Sequence, residues 1–257
     1  MMKYLVILLS DQSTSFCYYN SSDNIEENRL IPLEILRNAI KYAFMEDLFI
    51  QFVLPPFSLP KEYEEIITST KGSIIAPHST SYNADVMVID GFSELNNIEI
   101  LKDVSYVLRS DKKDFFEQYK EITRRIVEFS RLNIVLTDIE SFIDDDFNLY
   151  KQILDEFTCS VKDIILSGKT IQLNILTDRL VKNEMNNCNA GSKTITLAPN
   201  GQFYICPAFY YAKEQSVGDL EKGLSIRNSQ LYKLEYAPLC RKGSVCTFSA
   251  GHNHTFQ

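Results

Sequence analysis

The chain has 257 residues and a formal charge of −8, with 45% hydrophobic and 23% charged residues. This composition is typical of a globular protein of one α/β domain with an appendage, or of two modest domains. The acidic balance, without a dense Lys/Arg stripe, excludes a general nucleic-acid binder and favours a cationic partner.

The apolar run at residues 4–9 is too short to span a membrane and lacks the small-residue cleavage site of a secretory signal. We therefore predict that it is the first strand of a cytoplasmic protein that has no membrane partner.

Strand-like apolar runs alternate with helical patterns over most of the chain. We predict strands at residues 4–9, 49–54, 73–76, 86–89, 106–108, 132–136, 164–167 and 172–176. We predict one helix that begins at Pro32, one at residues 61–68, one that is capped by Asp111, and one at residues 147–157. Strands separated by helices predict a parallel sheet. About six β/α steps describe either a partial barrel or an open doubly wound sheet.

The pattern changes to that of a hairpin after residue 188. Residues 194–197 and 202–205 flank Pro199, Asn200 and Gly201. An Asn-Gly pair predicts a type I′ turn, because both central positions of that turn need a positive φ. We therefore predict two domains, at residues 1–185 and 186–257.

Four of the six cysteines, Cys188, Cys206, Cys240 and Cys246, lie in this second part. They are enough thiolates for one iron–sulfur cluster or one tetrahedral zinc, and the hairpin would bring the first two together. The alternative is that they are reduced thiols that fill apolar gaps. In a chain of this length, metal ligands are favoured over a secreted disulfide framework.

Acidic residues follow several predicted strands: Asp90, Asp138, Glu140 and Asp178. The carboxyl ends of parallel strands meet at one edge of a sheet, where barrel folds build their sites, so this group could bind a cation or a basic peptide. The alternative is that the aspartates cap helices. With three histidines and nine scattered glycines, neither a Ser/His/Asp triad nor a phosphate-binding loop is predicted.

The hairpin cysteines also carry a family resemblance. Cys188, Gly201 and Cys206 have the Cys-x12-Gly-x4-Cys spacing that opens a SPASM domain. Together with the motifs at residues 171–179, 185–188, 196–201, 206–210 and 216–220, this spacing resembles the CXXX repeat peptide maturase family of radical SAM/SPASM enzymes. The likeness extends over nearly the whole chain up to Cys240.

This resemblance implies a radical-SAM-like partial (β/α)6 barrel followed by a small cysteine-containing SPASM-like module. It implies that Cys188, Cys206, Cys240 and Cys246 hold an auxiliary 4Fe-4S cluster. It also implies a role in maturing a ribosomally synthesised precursor peptide with cysteine repeats.

The chain departs from the family at the first cluster. Active relatives carry Cys-x3-Cys-x2-Cys after the first strand, where three thiolates hold the cluster that binds S-adenosylmethionine. Here the same spacing falls on Ser10, Thr14 and Cys17, and residues 55–58 read Pro-Pro-Phe-Ser instead of Gly-Gly-Glu. Hydroxyls are poor iron ligands, so Cys17 is at most a residual ligand, or a plain loop thiol. We therefore expect a competent radical SAM partner or an unusual cluster arrangement.

The C-terminal pattern departs as well. Gly243 stands where the family has the second cysteine of a Cys-x2-Cys pair, so we expect a truncated or altered module after Cys240. Cys240, Cys246, His252 and His254 would also suit zinc. The alternative function is thus a non-enzymatic peptide- or protein-binding module with a structural zinc or no metal. A third possibility is a decayed product that folds only in part.

Overall fold

The computed structural model describes residues 2–21, 29–178, 190–191 and 193–226. They belong to two compact units. Of the described residues, unit 1 comprises 2–15, 19–21, 29–85, 190–191 and 193–226, and unit 2 comprises 16–18 and 86–178. Within the described residues, no helix is both long enough and apolar enough to cross a membrane.

Unit 1 is built on a sheet around the first strand. Its elements in chain order are β1 (Tyr4–Leu8), α1 (Leu33–Met45), β2 (Phe49–Val53), α2 (Lys61–Ser69), β3 (Gly72–Pro77), β8 (Thr194–Leu197), β9 (Phe203–Tyr204), α6 (Pro207–Tyr211), β10 (Gly218–Asp219) and β11 (Gly223–Leu224). The strand order is β3-β2-β1-β8-β9, parallel except for the β8–β9 pair. All five residues of β1 are buried, which explains its uninterrupted apolar sequence.

Unit 2 contains the next run of parallel strands. Its elements are β4 (Val86–Asp90), α3 (Phe92–Leu95), β5 (Ser105–Ser110), α4 (Lys112–Arg125), β6 (Arg131–Leu136), α5 (Asp144–Leu166) and β7 (Gln172–Leu173). The order is β7-β6-β5-β4, with all pairs parallel. Asp111 caps α4 as predicted, because its carboxylate accepts a hydrogen bond from Asp114 N at 2.8 Å.

The predicted α/β class with parallel strands is confirmed. In both units, strands that are consecutive in sequence are neighbours, and in unit 1 the later strands β8 and β9 continue the sheet on the opposite side of β1 from β2. The predicted strand at residues 164–167 is wrong. This apolar run ends α5, where Val161 lies on the buried face one turn earlier.

The predicted hairpin at β8 and β9 is present, but its turn is not type I′. Gly201 N donates to Ala198 O at 2.9 Å, and Gly201 has a positive φ of 79° whereas Asn200 does not. Pro199 explains the difference: its fixed negative φ suits the first central position of a type I turn.

This hairpin belongs to the sheet of unit 1. β8 pairs in parallel with β1, in a register that runs from Tyr4↔Thr194 to Ile7↔Leu197. The hairpin therefore belongs to the compact unit that contains β1, and the division after residue 185 stays a prediction. A pairing between strands so far apart in sequence has no local sequence signal.

Candidate functional site

The loop after β1 contains two of the positions that the family pattern assigns to cluster ligands. Ser10 is fully buried, and its hydroxyl accepts a hydrogen bond from the loop backbone at 3.1 Å. Ser13 Oγ donates to Val53 O at 2.8 Å, and Thr14 N donates to Leu54 O at 2.8 Å. These bonds tie the loop to the carboxyl end of β2.

Two tyrosines pack against the same loop. The rings of Tyr19 and Tyr211 stack with centroids 5.3 Å apart and planes 15° from parallel. Their hydroxyls donate to Thr14 O and Ser13 O, both at 3.4 Å. Burial raises the pKa of Tyr211 well above its ordinary value. The phenol therefore stays neutral and keeps its role as a donor.

Asp11 of this loop forms a polar triad with Arg29 and Tyr210 in unit 1. Arg29 Nε lies 3.3 Å from Asp11 Oδ2, and Arg29 Nη2 donates to the Tyr210 hydroxyl at 3.1 Å. That hydroxyl in turn donates to Asp11 Oδ1. Burial, followed by the bond to Asp11, raises the pKa of Tyr210 far above its ordinary value. Sequence reasoning missed this triad, because its members are far apart in the chain.

Cys17 and Asp90 are both linked to one buried arginine in unit 2. Arg109 Nε donates to Cys17 O at 3.0 Å, and Arg109 Nη1 lies 2.6 Å from Asp90 Oδ1. The Cys17 side chain is buried. Asp90, whose side chain is 57% exposed, therefore balances the charge of Arg109, whose side chain is 8% exposed.

Asp138 and Glu140 follow β6 at its carboxyl end. Asp138 Oδ1 accepts a hydrogen bond from Lys112 N at 2.8 Å, and its Oδ2 accepts one from Ser141 Oγ at 3.4 Å. Asp138 therefore satisfies the first backbone N–H of α4. Glu140 is exposed on a turn of 3₁₀ helix at Ile139–Ser141.

Asp178 lies apart from the other three acidic residues. It is 1% exposed and accepts from both Nη atoms of Arg131, at 3.0 and 3.4 Å. Arg131 begins β6, so Asp178 is at the amino end of that strand. β7 ends at Leu173. At the next residue the Asn174 side chain replaces the backbone pairing: its Oδ1 accepts from Ile134 N and its Nδ2 donates to Ile134 O, both at 2.9 Å.

Of the four predicted metal-binding cysteines, the structure describes one. Cys206 immediately precedes α6, and its side chain is partly exposed. Cys188, Cys240 and Cys246 lie outside the described residues, as do His252 and His254. Among the residues that are described, no three His, Cys, Asp or Glu side chains are grouped so that they could hold a metal ion.

No family model and no curated protein matches this chain. Among solved structures, it is similar to Streptococcus suis SuiB bound to S-adenosylmethionine, with 14% identity, a TM-score of 0.47, and coverage of 91% of this chain and 68% of that one. It is also similar to SuiB bound to the precursor peptide SuiA, with 12% identity, a TM-score of 0.46, and coverage of 97% and 70%. A third similar structure is BtrN in complex with AdoMet and 2-DOIA, with 10% identity, a TM-score of 0.40, and coverage of 96% and 92%.

Proposed function

We propose that this chain is a maturation factor that binds a ribosomally synthesised cysteine-repeat peptide and does not itself assemble the S-adenosylmethionine cluster. The observation that carries this proposal is the state of the loop after β1. Ser10 and Thr14 are at the positions that the family resemblance assigns to cluster ligands, and hydrogen bonds hold both residues within the fold.

The chemistry of this loop does not fit a three-thiolate cluster. Iron in such clusters is held by cysteine sulfur, and the serine and threonine hydroxyls are weak ligands by comparison. The stacked Tyr19 and Tyr211 rings also pack against this loop, and their hydroxyls donate to its backbone. A peptide-modifying reaction that needs a radical would therefore be initiated by a separate, competent radical SAM enzyme.

The cysteines of the hairpin half supply a second, auxiliary site in this proposal. Cys206, whose side chain is partly exposed, would hold a 4Fe-4S cluster together with Cys188, Cys240 and Cys246. The alternative is a binding module with structural zinc or no metal. Tetrahedral zinc accepts the same thiolates, and its fourth ligand could equally be a histidine.

Metal analysis of protein purified without oxygen separates these alternatives. After reconstitution with iron and sulfide, we expect Cys206→Ser to lower the iron content, while Cys159→Ser leaves it unchanged. Cys159 is a suitable control because it is an exposed cysteine on α5. Stoichiometric zinc without iron would support the binding-module alternative.

Peptide binding tests the other half of the proposal. Isothermal titration should show binding of a synthetic peptide with repeated cysteines, and weaker binding of the same peptide with serines in their place. Equal binding of both peptides, or no binding of either, would contradict the assignment of a cysteine-repeat partner.

A further inference from the structure

Two large apolar side chains stand exposed where α5 begins in unit 2. Ile143 immediately precedes the helix and is 64% exposed, and Phe147 in its first turn is 48% exposed. They are four residues apart and therefore lie on the same side of the helix start. We call these two residues the apolar patch.

Phe147 is held in place by a series of aromatic contacts. Its ring centroid lies 5.4 Å from that of Phe142, and Phe142 lies 6.4 Å from Tyr150. Tyr150 lies 6.0 Å from Phe115, which lies 6.4 Å from Phe157. Phe115 and Phe157 are fully buried. The exposed ring is thus the outer end of a packed series, so a partner that contacts it needs to order little of this surface.

Carboxylates outnumber basic side chains beside the apolar patch. Residues 138–146 contain five carboxylates and no lysine or arginine. Asp146 is paired with Lys112 at 3.0 Å and also accepts from Ile143 N at 2.9 Å. Asp144 and Asp145 are exposed. Because Asp144 is three residues before Phe147, these two side chains are neighbours on the helix surface.

An exposed, preordered aromatic side chain bordered by carboxylates is complementary to one kind of ligand. We propose that the apolar patch docks a basic peptide segment, in which an apolar side chain contacts Phe147 and Ile143 while adjacent lysines or arginines face Asp144 and Asp145. Identifying this segment with part of a precursor peptide rests on the proposed function. The docking of a basic, apolar peptide segment is argued from the surface alone.

The test uses the full chain and a fluorescein-labelled model peptide of alternating lysine and leucine. We expect Phe147→Ser to weaken binding at least about tenfold, as for a central apolar anchor. The double change Asp144→Asn, Asp145→Asn, which leaves the aromatic packing intact, should weaken it about three- to tenfold at low salt and much less at ~0.5 M salt. Leu166→Ser is the matched control, because Leu166 is a 73% exposed residue at the other end of α5 and should leave binding unchanged.

Three results would overturn this docking surface: binding that survives both patch variants, an equal loss in Leu166→Ser, or a dimer in sedimentation that Phe147→Ser converts to a monomer. The cysteine-repeat peptide gives a separate readout. If the lysine–leucine peptide binds at the patch and the cysteine-repeat peptide does not bind at all, the surface stands and the proposed function fails. If the cysteine-repeat peptide binds and the patch variants affect neither peptide, the proposed function stands and this surface fails.

Discussion

Replacing Asp178 by asparagine tests whether this residue is structural. The substitution leaves the Arg131 guanidinium, whose side chain is 6% exposed, without its buried counter-charge. Removing one partner of a buried ion pair costs about 3–5 kcal/mol, because the other charge stays desolvated. We therefore expect Asp178→Asn to lower the free energy of unfolding in urea by about that amount, without a specific loss of peptide affinity for the folded protein.

Two further variants sharpen this measurement. The double variant Arg131→Met, Asp178→Leu removes both charges and should lie within about 1 kcal/mol of the wild type. Glu121→Gln breaks the exposed pair with Arg124, at 2.6 Å, and should change stability by no more than about 0.5 kcal/mol. A wild-type unfolding free energy for Asp178→Asn, combined with weakened peptide binding, would instead assign Asp178 to the substrate site and refute this reasoning.

Three other outcomes follow from the hydrogen bonds and the backbone. The pKa of Asp146 is lowered by the hydrogen bond from Ile143 N–H and then by the one from Lys112. Its stabilising effect is therefore present above about pH 4 and is lost as pH falls through the lower folded pKa. Asp146→Asn should reduce the decrease of the urea-unfolding free energy at acid pH. The pKa of Tyr210 is raised, chiefly by burial, so its contribution is complete below about pH 10 and is lost only as pH rises through the higher folded value. Tyr210→Phe should therefore leave the tyrosinate absorbance up to about pH 11 unchanged, and a decrease there would contradict the shift. Gly201→Ala should cost about 1 kcal/mol more in urea unfolding than Gly168→Ala: both glycines have positive φ, but only at the first would the new Cβ lie 3.0 Å from another side chain. An equal loss of unfolding free energy in the two variants would show that the Ile35 side chain moves aside without a measurable cost.

The local elements of this fold were predictable because each has a short-range cause. The first strand is apolar throughout because both its faces are covered. α1 begins directly after Pro32, and α4 directly after Asp111, whose carboxylate bonds the first turn. These signals depend on residues a few positions apart, and this is the range over which sequence patterns are informative.

Long-range pairings were not predictable in the same way. The place of β8 beside β1 depends on a pairing between residues near 4 and 194. The place of Asp178 was unpredictable for a related reason. The predicted strand at 172–176 is cut short by the Asn174 side chain, so Asp178 meets Arg131 instead of joining Asp90 and Asp138. A side chain that replaces backbone bonds leaves no periodic signal in the sequence.

The candidate site was predictable only in part. The spacing of Ser10, Thr14 and Cys17 directed attention to this loop, and the loss of the cluster site there stays a prediction. The triad of Asp11, Arg29 and Tyr210 was not foreseen. Its hydrogen bonds join residues separated by up to 199 positions, and a single tyrosine or arginine in a loop carries no specific pattern.

The most direct test of the central claim is reductive cleavage of S-adenosylmethionine after anaerobic reconstitution with iron and sulfide. We predict that the chain alone yields no 5′-deoxyadenosine, even where iron binds through Cys206, because the loop at Ser10 and Thr14 lacks two of the three thiolates. Formation of 5′-deoxyadenosine by the purified chain, abolished by Cys17→Ala, would show that the loop after β1 does assemble a working cluster and would contradict the account.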